Sequence, residues 1–313
     1  MNEVHRVAVI GAGIMGHGMA QLFALRGLEV SLVDRSRALL ERAQGWIREN
    51  LDHMVELGEL RVGSVEAALE RIHLHTELSA VSGAQFVVEA VNEELDLKRR
   101  IFGELGSVTT SDTTLATNTS SFDINELARA AAHPQRVIGT HWFHPSPITP
   151  CVEVIPADTT HPDTVRRTVA LMERIGKYPT LCKSAPGFVA NRIQFAMVAE
   201  ALAIVEEGLA KPEEVDRIVR SSFGFRLGAY GPFEICDQAG LDTYGAVFRY
   251  LHEKLGRPQF NPPPLLDRLA SQGRLGLKAK KGFYDYGGDA EQSVKRQRDR
   301  RLYARLRLFQ GEK

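Results

Sequence analysis

In the first half of the chain, short apolar runs alternate with longer stretches of helical period. Arg6-Val-Ala-Val-Ile10 runs into a cluster of glycines, the pattern of a strand buried on both faces of a parallel sheet. A helical stretch over 15–26 follows, Gly27 closes it, and Glu29-Val-Ser-Leu-Val-Asp34 reads as a second strand. Ser36 is placed to cap a helix over 37–51, and Ser64, with Glu66 in the first turn, starts another to about Arg71. Further strands are predicted at 72–76, 86–89, 114–117, 137–141 and 151–155. Helices are predicted between most of them, notably over 95–105 and 124–131. Such alternation predicts an α/β fold with a doubly wound sheet.

The pattern changes at Lys183-Ser-Ala-Pro-Gly187, beyond which only 283–286 could form a strand. Residues 189–207 are apolar almost all round, which predicts a helix buried in the middle of a second domain. Pro212 opens a further helix, two more are expected around 242–255 and 265–272, and Pro262-Pro-Pro264 marks a rigid connector. The last 25 residues, from Asp289, carry 8 basic and 4 acidic side chains, with Leu302, Leu306 and Phe309 spaced for one helix face. They read as an amphipathic helix docked on the domain or on a dimer mate. The expected organisation is therefore a Rossmann domain over 1–184 and an all-α domain over 185–313, ending in the basic tail 289–313. The cleft between the two should take the substrate, and the helical domain should supply a homodimer interface.

Composition narrows the class. The 39 basic and 39 acidic residues cancel, which argues against nucleic-acid or anionic-membrane partners. No apolar run approaches the roughly 20 residues of a spanning helix, and the N-terminus shows no signal-peptide core. The three cysteines, Cys151, Cys182 and Cys236, are too few and too scattered for a disulfide framework. A cytoplasmic protein acting on a small molecule is expected.

Gly11-x-Gly13-x-x-Gly16 lies between a predicted strand and a predicted helix, the context in which this pattern binds a dinucleotide. The first glycine permits the tight turn, the second lets backbone approach a pyrophosphate, and the third packs helix on strand. The helix start, at Ile14 and Met15, then offers N–H groups and a partial positive charge to the phosphates. Asp34, 18 residues after Gly16, ends the next strand, where a carboxylate binds both ribose hydroxyls of NAD and repels the 2′-phosphate of NADP. Arg35 beside it can tolerate a phosphate, so NADP ranks second. FAD ranks third, because the second flavin-binding segment is missing.

Four segments fall where loops leave C-terminal strand ends, the ligand-binding side of an open α/β sheet: Thr117-Asn-Thr-Ser-Ser121, His141-Trp-Phe-His-Pro145, Glu153, and Pro186-Gly-Phe-Val-Ala-Asn191. Oxidising a carbinol requires a base for the hydroxyl proton, and a neutral histidine suits that task. The base needs a carboxylate to fix its tautomer, and the substrate oxygen needs donors. His141, Glu153, Ser120 and Asn191 can supply these functions.

These same segments, with Gly231-Pro-Phe-Glu234, Gly240-Leu-Asp242 and Gly282-Phe-Tyr284, resemble the 3-hydroxyacyl-CoA dehydrogenase family nearly end to end. The resemblance implies NAD-dependent oxidation of the 3-hydroxyl of a 3-hydroxyacyl-CoA of the 3-hydroxybutyryl-CoA kind. It implies His141 as base, Glu153 as its partner, and Ser120 and Asn191 on the substrate's oxygens. It also puts Asn118, Glu93, Lys98 and Lys278 near the cofactor, although on the residues alone Glu93 and Lys98 read as an ordinary exposed helix start. Three departures stand out. His144 replaces the asparagine usual three residues after the histidine, where a cofactor contact is expected. Asn50 and Leu57 replace a serine and a lysine that touch CoA. Finally, the tail and the long helix look more like the lambda-crystallin and L-gulonate 3-dehydrogenase branch, which oxidises free 3-hydroxy acids.

The alternatives are thus a free 3-hydroxy acid, an acyl-carrier-protein thioester, or a non-catalytic crystallin-like scaffold. A hydrolase triad is opposed by the lack of a Gly-x-Ser-x-Gly elbow around Ser120. A metal site of His141, His144 and Glu153 would leave the nucleotide fingerprint unexplained.

Overall fold

A computed structural model describes residues 3–287 and 290–311, so residues 289, 312 and 313 of the basic tail lie outside the described residues. The chain divides into two compact units, the first ending at Val198 and the second beginning at Ala199.

The first unit is built on one eight-stranded sheet. Its elements in order are β1 (Arg6–Ile10), α1 (Ile14–Leu25), β2 (Glu29–Val33), α2 (Arg37–Glu56), α3 (Gly63–Leu69), β3 (Ile72–His75), β4 (Phe86–Glu89) and α4 (Leu95–Val108). They continue through β5 (Thr114–Thr117), α5 (Ile124–Ala130), β6 (Val137–Trp142), β7 (Cys151–Pro156), α6 (Pro162–Arg174) and β8 (Tyr178–Leu181). The strand order is β3-β2-β1-β4-β5-β6-β7-β8, so the direction of winding reverses between β1 and β4. That switch point is where open α/β sheets bind nucleotides. The central strands β4, β5 and β6 are buried at every residue, polar ones included, as strands in the middle of a sheet covered on both faces are. One apolar core packs α1, α2, α3 and α6 on one face, and a second packs α4 and α5 on the other.

The predicted strands form where the apolar runs put them, and Ser36 caps α2 by accepting a hydrogen bond from the Leu39 N–H. α6 and the edge strand β8 carry weaker signals. β8 contains Pro179 and is largely exposed, a composition confined to sheet edges. The topology also departs from an all-parallel sheet, since β6 and β7 pair antiparallel. Glu153 accordingly sits inside β7 rather than in a loop at a C-terminal strand end, and this register matters below.

Among the described residues the second unit is helical. Helix α7 (Ala190–Glu206) spans the division, followed by α8 (Pro212–Ser221), α9 (Phe223–Leu227), α10 (Pro232–Ala239), α11 (Leu241–Leu255), α12 (Pro264–Ser271) and α13 (Ala290–Gly311). Two expectations are corrected. α7 is helical but has no buried residue; Phe195 is 64% exposed and Leu202 60%. An all-round apolar surface asks to be covered, but its pattern does not say by which chain. The second correction is at 283–286, where no strand forms. The Phe283 and Tyr284 N–H groups donate to the buried Asp237 carboxylate, as does the Tyr286 hydroxyl, so a side chain takes the place of a partner strand. The tail helix α13 docks on its own unit, with Arg305 donating to the Phe225 and Gly228 carbonyls and Phe309 edge-on to Phe225.

Candidate active site

The glycine turn joins β1 to α1. Gly11 has φ +99°, and a Cβ there would lie 2.6 Å from the Ala90 carbonyl oxygen, so both conformation and space demand glycine. A Cβ on Gly16 would lie 1.8 Å from the Gly11 oxygen, which brings the helix hard against the turn. At Gly13 an added Cβ would meet nothing within 4 Å, so the turn is open on that side. α1 begins there with no capping side chain and no acidic residue in its first turn. The N–H groups around Ile14 and Met15 are therefore left for an anion. At the end of β2 the Asp34 carboxylate accepts hydrogen bonds from the Ala12 and Ser36 N–H groups at 3.0 and 2.9 Å, which fixes it beside the turn. An open turn, an uncapped helix start and an oriented carboxylate fit a dinucleotide.

Across the switch point, β4 ends in Glu89, which is fully buried. Its carboxylate accepts from the Lys98 ammonium at 2.6 Å, the Thr117 hydroxyl at 2.7 Å and the Val91 N–H at 2.8 Å. Lys98, expected on an exposed helix start, has only 1% of its side chain exposed and lies 3.2 Å from the second carboxylate, Glu93. Glu93 Oε1 in turn accepts from the Thr119 hydroxyl, the Ser120 and Ser121 N–H groups and the Ser121 hydroxyl. Burial alone would raise the Glu93 carboxyl; those hydrogen bonds and the Lys98 charge outweigh it and hold the group below its ordinary value. The Ser120 loop is thereby tied to the start of α4.

His141 stands directly opposite Glu153 in the β6–β7 antiparallel ladder. Side chains at facing positions of such a pair meet, and His141 Nδ1 lies 2.7 Å from Glu153 Oε2 with both residues buried. The sequence spacing of twelve is thus the register of a hairpin. Glu153 Oε1 accepts from the Val189 and Ala190 N–H groups at the start of α7. Burial pulls the Glu153 carboxyl up, but His141 and these two N–H donors more than offset it, so it stays ionised below the usual carboxylate range. The carboxylate also anchors the helix that carries Asn191, whose Nδ2 donates to the Ser120 carbonyl at 3.4 Å. His141, Glu153, Ser120 and Asn191 therefore come together within one unit. With Nδ1 committed to Glu153, Nε2 is left to exchange a proton with a ligand. Phe143 and Phe188 pack against the imidazole, at ring-centre distances of 4.6 and 5.6 Å.

The profile described as 3-hydroxyacyl-CoA dehydrogenase, NAD binding domain, matches residues 6–185, and that of the C-terminal domain matches 187–286. The chain belongs to the 3-hydroxyacyl-CoA dehydrogenase family. It is 38% identical to a probable 3-hydroxybutyryl-CoA dehydrogenase of Deinococcus radiodurans, over 90% of this chain and all of that one. It is 32% identical to the 5-formyl-3-hydroxy-2-methylpyridine 4-carboxylate 5-dehydrogenase of Mesorhizobium japonicum, over 98% of this chain and 99% of that one. Among solved structures, a 3-hydroxyacyl-CoA dehydrogenase of Archaeoglobus fulgidus aligns with a TM-score of 0.80 at 32% identity, covering 97% of this chain and 99% of that chain.

The remaining residues singled out in this dehydrogenase take varied positions. The Asn118 side-chain oxygen accepts from the Trp142 N–H at 2.9 Å, tying the β5 loop to β6. His144 is exposed. Burial lowers the His17 imidazole below its ordinary value, partly countered by its hydrogen bond to the Gly13 carbonyl at 2.9 Å, with the nearby His144 a smaller influence in the lowering direction. Lys278 belongs to the second unit, where its ammonium pairs with Asp242 at 2.7 Å. Asn50 donates to the buried Gln21, while Leu57 is 63% exposed. Sequence reasoning missed Glu89, for which a lone glutamate closing an otherwise apolar strand was the available signal.

Proposed function

We propose that this NAD-dependent oxidoreductase interconverts a short-chain 3-hydroxyacyl-CoA, of the 3-hydroxybutyryl-CoA kind, and its 3-oxoacyl product. The observation that carries the reading is the buried His141–Glu153 pair at 2.7 Å, set beside Ser120 and Asn191 in a chain of this family. His141 removes the proton of the C3 hydroxyl through Nε2, and Glu153 holds the Nδ1 proton and stabilises the imidazolium that forms. The Ser120 hydroxyl and the Asn191 amide steady the substrate oxygen as its charge changes. NAD, when bound, accepts the hydride. The same residues serve the reverse direction, with His141 then returning the proton.

Relatives named for 3-hydroxybutyryl-CoA support the short acyl chain and a place in fatty acid metabolism. They do not favour the free acid, carrier-protein or scaffold readings. Parallel assays decide: NADH should be consumed with acetoacetyl-CoA, and no NADH should form with L-gulonate. The opposite pair of results would overturn the substrate.

NAD is preferred over NADP in this proposal because Asp34 is oriented beside the glycine turn by two backbone donors. Asp34→Ala should weaken NADH binding by roughly tenfold, the scale of losing charge-assisted hydrogen bonds, and spare NADPH. Fluorescence titration with both cofactors measures this, and an unchanged ratio of affinities would remove the ribose contact from the proposal.

A homodimer is also proposed, supported by the exposed Ile193, Phe195 and Leu202 of α7. Sedimentation should give twice the mass of one chain; a monomer at micromolar concentration would contradict it. No helix among the described residues is long and apolar enough to cross a membrane. A cytoplasmic location completes the proposal, with cell fractionation as its check.

A further inference from the structure

Lys177, between α6 and β8, is 5% exposed, and among the described residues it has no carboxylate in salt-bridge reach. Its ammonium instead donates to the Ser146 and Thr149 carbonyls, both at 2.6 Å, with the Pro147 carbonyl at 3.4 Å. The Trp142 ring lies beneath it, 5.4 Å away at its centre. The charge facing it is Arg26, which donates to the Ile175 carbonyl. Burying a cation against neutral groups is costly, and that burial, with Arg26, pushes Lys177 down to about 8. The three donors of one ammonium thus go to the carbonyls of one loop.

That loop, residues 143–150, leaves β6 just after His141 and bears directly on α1. The Ser146 hydroxyl donates to the Met15 carbonyl at 3.1 Å, in the first turn of the helix. A Cβ on Gly18 would lie 2.4 Å from Ser146 Oγ and 2.9 Å from Pro147 Cδ, so helix and loop are in closest contact there. A continuous chain of contacts runs from Lys177 through Ser146 to the turn that receives the cofactor phosphates.

We propose that Lys177 is a positioning residue, holding the loop after His141 against α1 and so setting the spacing between the glycine turn and the catalytic imidazole. The proposal rests on NAD binding at that turn and not on the identity of the acyl substrate.

The test compares NADH affinity, by fluorescence titration, in the full-length wild type, Lys177→Met and Lys177→Arg. Lys177→Met should bind NADH about tenfold more weakly, the equivalent of one lost charged hydrogen bond. The Ile148 and Thr149 amides, which donate to the Pro145 carbonyl, should exchange hydrogen faster in it. Lys177→Arg, which keeps a charged donor, should recover most of the affinity. A Lys177→Met protein of lower Tm that binds NADH as the wild type does would make the residue merely structural and overturn the proposal. Should Lys177→Met fail to fold, Ser146→Ala cuts the link to Met15 with the lysine in place; weaker NADH binding supports the proposal and unchanged binding overturns it. Failure of the wild type to reduce acetoacetyl-CoA while binding NADH would sink the substrate reading and leave this test intact.

Discussion

Replacing His141 by alanine should lower turnover by at least about 100-fold, the usual contribution of a general acid–base residue, while NADH binds with wild-type affinity. The imidazole is the group in the assembled site whose second ring nitrogen, Nε2, is left to exchange a proton with the substrate. Glu153 cannot substitute for it, because that carboxylate faces Nδ1 and the two N–H groups at the start of α7 and is held ionised by them. In the variant Glu153 keeps its Val189 and Ala190 donors, so α7 should stay anchored and Asn191 should stay beside Ser120. The glycine turn and Asp34 lie on other elements and are untouched. The loss should therefore appear in kcat, with little change in cofactor affinity. Steady-state kinetics and NADH titration on the same preparation separate the two, and a kcat within threefold of wild type would remove His141 from the chemistry.

Lys98→Met should destabilise the first unit by about 3–5 kcal/mol, the scale for stripping one partner from a buried ion pair. Glu89 is fully buried and would keep only the Thr117 hydroxyl and Val91 N–H as partners for a full charge. Glu93 would also lose its cation, loosening the hydrogen bonds that hold the Ser120 loop. The midpoint of thermal unfolding should fall by roughly 6–20 °C for a unit of this size. Combining Lys98→Met with Glu89→Gln should recover part of the loss, since the fully buried position 89 then carries no charge to leave unpaired. Denaturant unfolding measures both variants against the wild type, and a loss under 1 kcal/mol for Lys98→Met would show that two neutral donors suffice for Glu89.

Lys98 illustrates why part of the site was illegible in one dimension. Leu95 to Lys98 begins an amphipathic helix in which a lysine is ordinarily solvated, and only the neighbouring strand, ending in Glu89, draws it inward. Lys177 is similar: its carbonyl partners lie some thirty residues earlier, on a loop with no distinctive pattern. The glycine turn, by contrast, was legible because its chemistry is local. Three glycines, a strand before them and a helix after them define a backbone shape within a dozen residues.

The sequence by itself determined most strand and helix segments of the first unit, α6 and β8 excepted, together with the glycine turn followed by Asp34 and the cap at Ser36. These depend on hydrophobic period, capping and turn stereochemistry, all written within one element or two adjacent ones. Only the tertiary structure decided that β7 runs antiparallel to β6, which puts Glu153 opposite His141. It also decided that Lys98 is buried between two carboxylates and that α7 keeps its apolar side chains exposed. Those outcomes depend on which distant surface arrives at each side chain, and no local preference encodes that arrival.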